Sequence, residues 1–424
     1  MNESASTAAA LGGPSASPWP RIAIGDVART SSGTTPSRRR AERYFAGGTV
    51  PWVKTLDLRN GEISATDECV TDLAVQETSL QMYPPGTVLV AMYGGFNQIG
   101  RTGLLRIPAC VNQALSAIQV NRDRVLPEYL LAVLNFRVEH WKAVASSSRK
   151  DPNITGNDVR AFELPLPSMD EQRSIAAALA DVDALFAKLD QQIVKKRDLQ
   201  RAVMQQLLAG RTRLAGFSAP WPESSFGELF EFLRNASNSR ADLSASGEVG
   251  YVHYGDIHLH SSPFIDARRD LLTFIDADKV KSTPPLRDGD VLMADASEDT
   301  EAIGKAVEIT GLGGLRAVGG LHTLVLRPRP GRLARGFAGY VQFMPAVRTA
   351  LVRAATGVSV YGVSKSSVRA IVTPLPGVEE QSAIAEFLSD MGAEIVALEA
   401  RREKTRQLKQ GMMQALLTGR IRLV

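Results

Sequence analysis

An internal duplication constrains this chain more than any other feature of its sequence. Residues 164–214 and residues 373–423 align without a gap at a constant offset of 209, with 22 identities in 51 positions. The identical pairs include the Glu-Gln dipeptide at Glu171 and Glu380 and the glycines Gly210 and Gly419. A fixed interval of self-similarity indicates a fold built from repeated units. Any fold of this chain must therefore provide the same environment twice.

Each copy has the pattern of one long helix. Two prolines precede the helix in each copy and cannot continue a helix backwards. Ser168 followed by Glu171 has the spacing of a capping box, and Gly377 takes the serine position in the second copy. Gly210 and Gly419 supply the stop signals. Between start and stop lie about 40 residues, which predicts a helix about 60 Å long.

The apolar residues of each copy form a narrow stripe with alternating steps of four and three, which is typical of a coiled-coil seam. Two interpretations are open: each helix covers only its own neighbouring domain, or the two helices pair with each other. We favour antiparallel pairing, because two similar units in one chain commonly relate by a pseudo-twofold axis. The predicted helix-pairing residues are Ile175, Leu179, Val182, Phe186, Leu189, Ile193, Ile384, Leu388, Met391, Ile395 and Leu398.

The stripe changes after Ile193. A strict seam would place Lys196 and Gln200 among the apolar residues. The apolar set shifts instead, which predicts a stutter or kink in both helices. The shifted set is Leu199, Val203 and Leu207, matched by Leu408, Met412 and Leu416.

The segments before the helices are related more faintly. Trp19-Pro20 recurs as Trp221-Pro222, residues 51–58 resemble residues 250–257, and residues 86–91 resemble residues 289–294. Alternating apolar runs predict strands at 88–92 and 291–294, and residues 127–138 predict a helix. The fold class is therefore α+β, with two mixed α/β domains and two long helices. Its segments are a disordered lead (1–18), head 1 (19–163), the first helical segment (164–217), head 2 (218–372) and the second helical segment (373–424).

Composition argues against a disulfide-stabilised protein, a cysteine zinc protein and a membrane-spanning protein. Hydrophobic residues make up 44% and charged residues 22% of the chain, and the net charge is only +4. This weakly basic balance does not by itself establish nucleic-acid binding. Cys69 and Cys110 are too few for a disulfide framework or a cysteine zinc site. No apolar stretch approaches the roughly 20 residues that cross a bilayer. We expect a cytoplasmic protein without a membrane span.

Polar and basic residues in glycine-rich loops are the candidates for contact with DNA. Asn and Gln can bond adenine bidentately, and arginines contact phosphates, although a solvated loop explains an arginine cluster equally well. The candidates in head 1 are Arg38, Arg39, Arg40, Arg43, Lys54, Arg59, Tyr93, Asn97, Gln98, Arg149, Lys150 and Asn153. The candidates in head 2 are Tyr254, His258, His260, Arg268, Arg269, Lys305, His322, Ser359, Tyr361, Lys365 and Ser366.

Motifs of catalysis are missing from the sequence. It contains no Asn-Pro-Pro-Tyr or Asp-Pro-Pro-Tyr methyltransferase motif and no phosphate-binding loop of the Gly-x-x-x-x-Gly-Lys-Ser/Thr type. The best metal candidate is His253, Asp256, His258 and His260, with His258 and His260 on one face of a strand. A polar edge that faces DNA or solvent explains these residues better. We therefore predict no catalytic residue and no metal site.

The duplicated pattern resembles a known family. Pro-x-Pro, then Glu-Gln-x-x-Ile-Ala, then a long helix ending in Leu-Leu-x-Gly-Arg-x-Arg occurs twice. It is similar to the specificity subunits of Type I restriction–modification systems. The resemblance implies two target-recognition domains that each read half of a bipartite, asymmetric site in double-stranded DNA, and paired helices that set the gap. It implies two methyltransferase subunits and further restriction–translocation subunits as partners, which carry S-adenosylmethionine, ATP and Mg²⁺.

Two other functions are compatible with parts of this pattern. The first is a self-sufficient restriction–methylation enzyme, which methyl transfer by the purified chain would support. The second is a coiled-coil scaffold that binds no DNA. Retention of the partner complex on heparin without protection of any duplex sequence would favour the scaffold.

Overall fold

The computed structural model describes residues 18–95, 97–146, 153–270 and 272–423. The chain divides into two compact units, Met1–Asp190 with Arg401–Val424 and Gln191–Ala400. Both boundaries fall inside the long helices, so each unit contains one head and a part of both helices. The segments predicted from the sequence follow the repeats, whereas these units follow the contacts. None of the described helices has the length and apolar character needed to span a membrane.

Head 1 combines short strands with short helices. Its described strands are β1 (Arg21–Ala23), β2 (Ala28–Ser32), β3 (Val50–Val53), β4 (Gly61–Ile63), β5 (Cys69–Val70), β6 (Val88–Ala91), β7 (Thr102–Leu105), β8 (Cys110–Val111), β9 (Leu115–Val120) and β10 (Glu163–Pro165). Its helices are α1 (Ala41–Tyr44), α2 (Asp72–Glu77), α3 (Pro127–Phe136), α4 (Val138–Ser146) and α5 (Gly156–Ala161).

The long helices are α6 (Met169–Leu208) and α11 (Val378–Leu417). The strands of head 2 are β11 (Glu223–Ser225), β12 (Phe230–Leu233), β13 (Leu243–Ser244), β14 (Val249–Val252), β15 (Phe264–Asp266), β16 (Thr273–Ile275), β17 (Val291–Ala294), β18 (Ala296–Ser297), β19 (Ala306–Thr310), β20 (Arg316–Gly319), β21 (Thr323–Pro328), β22 (Tyr361–Gly362) and β23 (Val372–Pro374). Its helices are α7 (Phe226–Leu229), α8 (Tyr254–Leu259), α9 (Pro345–Ala354) and α10 (Lys365–Arg369).

The larger sheets of the two heads have the same topology. The larger sheet has the order β2-β9-β6-β7-β4 in head 1 and β12-β21-β17-β19-β15 in head 2. In both, the last pair is parallel and the other pairs are antiparallel. A smaller sheet is built around β3 in head 1 and around β14 in head 2. The predicted α+β fold class and its duplication are thus confirmed.

The core of each head includes apolar residues from both long helices. In unit 1, Ile175 and Leu179 of α6 and Leu416 of α11 belong to the same buried cluster as Trp141. In unit 2, the equivalent cluster contains Ile384 and Leu388 of α11 together with Leu207 and Leu208 of α6. Each helix therefore begins on its own head and ends in the core of the other head.

Both helices begin and end where their sequence signals predict. Each is 40 residues long. Gly210 and Gly419 follow their ends with φ values of 66° and 76°, the left-handed conformation that favours glycine. The capping box was only half correct. The Ser168 hydroxyl accepts a hydrogen bond from the Glu171 amide at 3.3 Å. The Glu171 side chain does not complete the box, because it bonds Trp19 and Arg422 instead.

Ion pairs establish that α6 and α11 run antiparallel. In unit 1, Asp183 pairs with Lys409 at 2.5 Å and Asp190 pairs with Arg402 at 3.0 Å. In unit 2, Lys196 pairs with Glu394 at 2.7 Å, and Arg197 pairs with Glu399. Residues later in α6 contact residues earlier in α11, as an antiparallel pair requires.

The predicted stutter was wrong. The side chains of Leu199 and Leu408 are 52% and 54% exposed, so the shifted stripe does not form the seam. Lys196 and Gln200 are half-buried instead, and both helices continue without interruption. These polar residues fit the seam because the facing helix supplies partners: Lys196 pairs with Glu394, and the Gln200 amide donates to the Leu388 carbonyl at 3.3 Å.

Candidate nucleic-acid interface

Four loops meet at one edge of each head. Three of them follow β3, β6 and β8 in head 1 and β14, β17 and β20 in head 2, and the fourth leads into the last short helix of the head. We call this surface the four-loop face. It comprises residues 54–57, 92–95, 97–100, 112–114 and 153–155 in head 1, and residues 253–260, 295–305, 320–322 and 356–363 in head 2.

Three backbone hydrogen bonds hold the loops together in head 1. The Asn112 amide donates to the Val53 carbonyl at 2.9 Å, and the Met92 amide donates to the Ala114 carbonyl at 2.8 Å. The Ile154 amide donates to the Met92 carbonyl at 2.9 Å. Because every donor and acceptor is a backbone group, the frame does not depend on the side chains that the loops carry.

Head 2 contains the same three bonds. The Gly320 amide donates to the Val252 carbonyl at 2.8 Å, and the Asp295 amide donates to the His322 carbonyl at 3.2 Å. The Val363 amide donates to the Asp295 carbonyl at 2.8 Å. The two heads thus present different side chains on one backbone frame.

In head 1, the face carries amides, a lysine and a tyrosine. Lys54 begins the first loop, where the Asp57 carboxylate accepts from its amide at 2.6 Å. The Tyr93 hydroxyl donates to the Gln113 carbonyl at 2.9 Å, and partial burial raises the pKa of Tyr93. Asn97 is exposed and Gln98 half-buried. The predicted residues Lys54, Tyr93, Asn97 and Gln98 therefore lie on one surface.

Glycine allows the second loop of head 1 to close. Gly94 and Gly95 have φ values of 128° and 104°. A Cβ atom on Gly94 would lie 2.5 Å from the Gln98 side-chain oxygen and 3.4 Å from the Thr55 methyl group. A side chain at this position would therefore displace the Gln98 side chain and would strain a backbone conformation that favours glycine.

In head 2, the face is built around histidine and tyrosine. The Tyr254 ring lies 4.5 Å from the His253 ring and 5.3 Å from the His322 ring, measured between centroids. His322 has a φ of 56°, and its Nδ1 lies 3.1 Å from the Asp295 carboxylate. Lys305 donates to the His258 carbonyl at 2.8 Å, and burial lowers the pKa of Lys305. The fold therefore brings together the predicted residues Tyr254, His258, Lys305 and His322.

The strand predicted around the histidines was wrong. Residues 254–259 form α8, and Asp256 caps it by accepting from the His253 amide at 2.8 Å. His258 Nε2 lies 2.8 Å from the Ala296 carbonyl, and His260 Nε2 lies 2.5 Å from the Phe264 carbonyl. Within the described parts of the chain, no group of three or more histidine, cysteine or acidic residues could hold a metal ion.

The arginine cluster of head 1 is largely paired with carboxylates. Arg38 binds Glu68 in a bidentate manner and lies 4.0 Å over the Phe45 ring, and this guanidinium lowers the pKa of Glu68 to about 2. Glu68 also accepts from Lys54 at 3.1 Å, so Arg38 borders the four-loop face. Three cluster members lie farther out: Arg39 is exposed, Arg40 bonds the Tyr44 hydroxyl, and Arg43 pairs with Glu77.

The remaining predicted residues are dispersed. Ser359 and Tyr361 lie in the fourth loop of head 2, and Asn153 lies in the fourth loop of head 1. Arg268 packs near Gly311 and Gly313, at the far end of β19 from Lys305, so Arg268 and its neighbour Arg269 lie away from the face. Three others lie elsewhere. Arg59 lines a 500 Å³ groove beside α3, the Lys365 ammonium lies 5.7 Å over the Phe232 ring, and the Ser366 hydroxyl bonds the Ser364 hydroxyl. Arg149 and Lys150 fall outside the described residues.

Sequence reasoning missed two residues of the face, Gln113 and Asp295, which are held in the third and second loops. His253, which the sequence offered as a metal candidate or as part of a polar edge, takes the position in head 2 that Lys54 takes in head 1. The faint likeness between residues 51–58 and 250–257 contained a signal for His253, because it aligns His253 with Lys54.

The duplicated Glu-Gln pair has a structural role that sequence reasoning also missed. Glu171 is 1% exposed and accepts from Trp19 at 3.1 Å and from Arg422 at 2.8 and 2.9 Å. Glu380 is 3% exposed and accepts from Trp221 at 3.0 Å and from Arg213 at 2.5 and 2.6 Å. We call these two groups the Trp–Glu–Arg clamps.

The neighbouring glutamines bind loops of the heads. The Gln172 side chain accepts from the Leu126 amide at 2.9 Å and donates to the Arg124 carbonyl at 2.9 Å. The Gln381 side chain accepts from the Ala334 amide at 2.8 Å and donates to the Arg332 carbonyl at 3.2 Å. The motif therefore joins each helix start to its head and, through the clamps, to the end of the other long helix.

A family comparison matches the first part of the chain. Residues 16–196 match the family model described as the Type I restriction modification DNA specificity domain. This segment is therefore similar to Type I specificity domains. The internal duplication and the shared topology of the larger sheets show that the second half of the chain repeats the first.

Curated proteins with similar sequences are named as specificity subunits of Type I restriction enzymes. The chain is 31% identical over 189 residues to the MjaIX specificity subunit of Methanocaldococcus jannaschii, covering 43% of this chain and 42% of that subunit. It is 22% identical to the EcoR124I/EcoR124II specificity subunit of Escherichia coli over 47% of this chain and 48% of that subunit. These two alignments thus span less than half of each relative. The match to the M. jannaschii MjaVIII specificity subunit is 22% identical and covers 96% and 93% of the two chains.

Solved structures share the fold. A chain from a study of complex assembly and conformational transition of the type I R-M system superposes with a TM-score of 0.60 and 18% identity, covering 96% of this chain and all of the other. The Type I S subunit from M. genitalium superposes with a TM-score of 0.55 and 13% identity, covering 95% and 96% of the two chains. This chain therefore shares its fold with these two solved chains.

Proposed function

We propose that this chain is the DNA-recognition subunit of a Type I restriction–modification complex. Each head reads one half of a bipartite, asymmetric site in double-stranded DNA through its four-loop face. The observation that carries the proposal is the shared backbone frame with unlike side chains. Amides and a lysine in head 1 and histidines and tyrosines in head 2 offer different hydrogen-bond patterns to base edges. Relationship to specificity subunits supports the same conclusion.

The long helices connect the recognition function to the complex. They set the gap between the two half-sites and provide docking surfaces for two methyltransferase subunits, which restriction–translocation subunits join. Those partners carry out catalysis, and they bind S-adenosylmethionine, ATP and Mg²⁺. The chain itself contributes base recognition and geometry.

Adenine methylation tests the proposal directly. We expect coexpression with the cognate methyltransferase to place methyl groups at a split motif, detected by sequencing of modified bases. Methyl transfer by the purified chain alone would reject the assignment of catalysis to the partners. A complex that binds duplex DNA without any sequence preference would reject recognition.

A matched pair of substitutions tests which head reads which half. His322→Asn removes the imidazole while asparagine tolerates the left-handed backbone at this position. Gln113→Ala removes an exposed amide from the equivalent loop of head 1. We expect each variant to change or weaken one half-site only. Both half-sites changing together in either variant would contradict independent reading.

A further inference from the structure

The three most exposed large apolar side chains of the described segments lie on the four-loop faces. Among the large apolar residues of the described segments, the most exposed are Val358 at 92%, Leu259 at 84% and Leu56 at 63%. Leu56 lies in the first loop of head 1, and the other two lie in loops of head 2. Single exposed apolar residues are common on protein surfaces. Their shared position on equivalent faces is what requires an explanation.

In head 2 the two loops are in contact. His258, next to Leu259, lies 2.8 Å from the carbonyl of Ala296 in β18. Strand β18 pairs with β22, which closes the hairpin 356–362. That hairpin carries Val358 and also Val360, which is 57% exposed. The elements that carry the three apolar side chains are therefore joined through β18.

The hairpin holds its apolar tip outward. Thr356 and Gly362 form an antiparallel bridge, with amide-to-carbonyl distances of 3.0 and 2.8 Å. Gly357 has a φ of 132°, and a Cβ atom there would lie 2.0 Å from the Val360 carbonyl. The turn is thus closed by its own backbone, and Val358 stays outside the core.

Cationic groups lie beside these side chains. Lys305 bonds the His258 carbonyl, and the Arg240 guanidinium lies 3.9 Å from the Asp256 carboxylate at the start of α8. Lys54 stands two residues before Leu56 in head 1. Carboxylates lie on the head 2 face as well, so charge alone does not select its occupant; they are Asp256, Asp295, Glu298, Asp299 and Glu301. On the proposed function the occupant is duplex DNA. An apolar side chain at its surface finds an apolar group in the major groove, where thymine projects a 5-methyl group.

We propose that Val358 and Leu259 in head 2, and Leu56 in head 1, recognise thymine through contact with its 5-methyl group. This inference rests on the proposed function and specifies its chemistry. The methyl group is the one apolar feature that distinguishes base pairs in the major groove. Exposed side chains on loops that backbone hydrogen bonds hold in place can reach this methyl group.

Deoxyuridine provides the probe, because it pairs like thymidine and lacks only the methyl group. The experiment uses the complete complex with its methyltransferase and a duplex carrying the mapped site. We expect replacement of a contacted thymidine in the second half-site to weaken binding about fourfold, from ~0.8 kcal/mol for one buried methyl-sized group. Fluorescence anisotropy titration gives the Kd values. Unchanged Kd values for every replacement, or a half-site without thymine on either strand, would overturn the inference.

Val358→Thr tests the side chain, because it exchanges one methyl for a hydroxyl at nearly constant shape. We expect this variant to bind thymidine and deoxyuridine duplexes alike at one position. Val352→Thr is the matched control, since Val352 is 46% exposed on α9 and outside the face. It should keep the full ratio between the two duplexes.

The outcomes separate this inference from the function on which it rests. Sequence-specific binding with no deoxyuridine effect rejects the methyl contact and leaves DNA recognition intact. Absence of sequence-specific binding by the unmodified complex rejects the proposed function itself. Loss of methyltransferase association in Val358→Thr, with the Kd ratio unchanged, would assign the apolar tip to a protein partner and overturn the inference.

Discussion

At the scale of single residues, burial and hydrogen bonding explain why the two repeats share the same glutamate. Glu171 and Glu380 are buried carboxylates whose charge is balanced by an arginine and an indole N–H in each clamp. The spacing of Glu171 after Ser168 suggested a capping box, because local spacing is all that a sequence displays. The actual partners are 152 and 251 residues away, so no local pattern could have identified them.

The clamps make a prediction about stability. Glu380→Gln removes the charge that accepts from Arg213 and Trp221, and we expect the free energy of unfolding to fall by about 2 kcal/mol, as for hydrogen bonds to a buried charged group. Urea unfolding followed by tryptophan fluorescence measures the change. Glu403→Gln is the control, because Glu403 pairs with Arg406 on the solvent side of the same helix. It should show no measurable change, and equal losses in both variants would contradict a special role for the clamp.

The cysteines give a prediction on reactivity. Burial raises the pKa of the Cys110 thiol to about 11, so at pH 8 only about one molecule in a thousand carries the reactive thiolate. Cys69 is partly exposed. We expect iodoacetamide at pH 8 to label Cys69 and to spare Cys110 in the folded chain, as read by peptide mass spectrometry.

A Cys69→Ser variant supplies the control for labelling. It should take up no label until urea is added, and should then react at Cys110. Raising the pH toward 11 should increase labelling of Cys110 in the folded chain, because the thiol ionises as the pH approaches its pKa. Rapid labelling of Cys110 at pH 8 would show that the β3–β8 region opens readily.

At the scale of elements, the ends and pairing of the long helices could be predicted, but their seam could be predicted only in part. Periodicity identified Ile175 to Ile193 because apolar residues mark a seam that faces an apolar surface. It failed at Lys196 and Gln200, because a polar residue can occupy a seam position when the facing helix offers a partner. Leu199 and Leu408 looked like seam residues but lie in solvent.

Charge gives a signal for orientation that hydrophobic periodicity lacks. Residues 169–190 of α6 contain five acidic and two basic residues, whereas residues 191–208 contain one acidic and four basic. In α11, residues 378–400 contain six acidic residues and no basic one, and residues 401–417 contain one acidic and five basic. Antiparallel packing places acidic halves against basic halves, and parallel packing would oppose like charges. The four observed ion pairs between the helices follow this rule.

The continuous seam predicts unequal effects for two neighbouring apolar residues. Ile193 is 3% exposed, so Ile193→Ala should lower the free energy of unfolding by about 2–4 kcal/mol, as for other buried aliphatic truncations. Leu199→Ala removes a side chain that is half in solvent, so it should change the free energy of unfolding by no more than about 0.5 kcal/mol. Thermal and urea unfolding of both variants provide the comparison. A larger loss of unfolding free energy for Leu199→Ala than for Ile193→Ala would indicate that the seam does shift after Ile193, as a stutter requires.

At the scale of the whole molecule, sequence could establish the duplication but not the four-loop face. The heads have diverged so far that only short segments align, whereas the frame consists of backbone hydrogen bonds that leave no residue pattern. Arg268 and Lys305 illustrate the difficulty. Both are basic residues of head 2, yet they lie at opposite ends of β19. Only the topology distinguishes a residue on the face from one that is merely charged.

The proposed spacing role leads to a prediction about helix length. One added heptad in each helix, between Gln191 and Gln192 and between Ala400 and Arg401, lengthens both by about 10 Å and keeps the seam in register. We expect the gap between half-sites to grow by up to about 3 base pairs at ~3.4 Å per pair. Methylation should weaken as well, because ~3 base pairs rotate one half-site by roughly 100° about the duplex axis. Sequencing of methylated adenines in cells measures both effects.

A heptad added to α6 alone is the control for this experiment. It moves Lys196 two helical turns away from Glu394 while α11 keeps its length, so the ion pairs of the seam and the clamps cannot all form. Unfolding at lower temperature and loss of methylation are expected for that variant. If the paired insertion left the gap unchanged, or altered the bases of either half-site, the helices would not set the spacing. The gap would then have to be fixed by the partner subunits that hold the DNA between the heads.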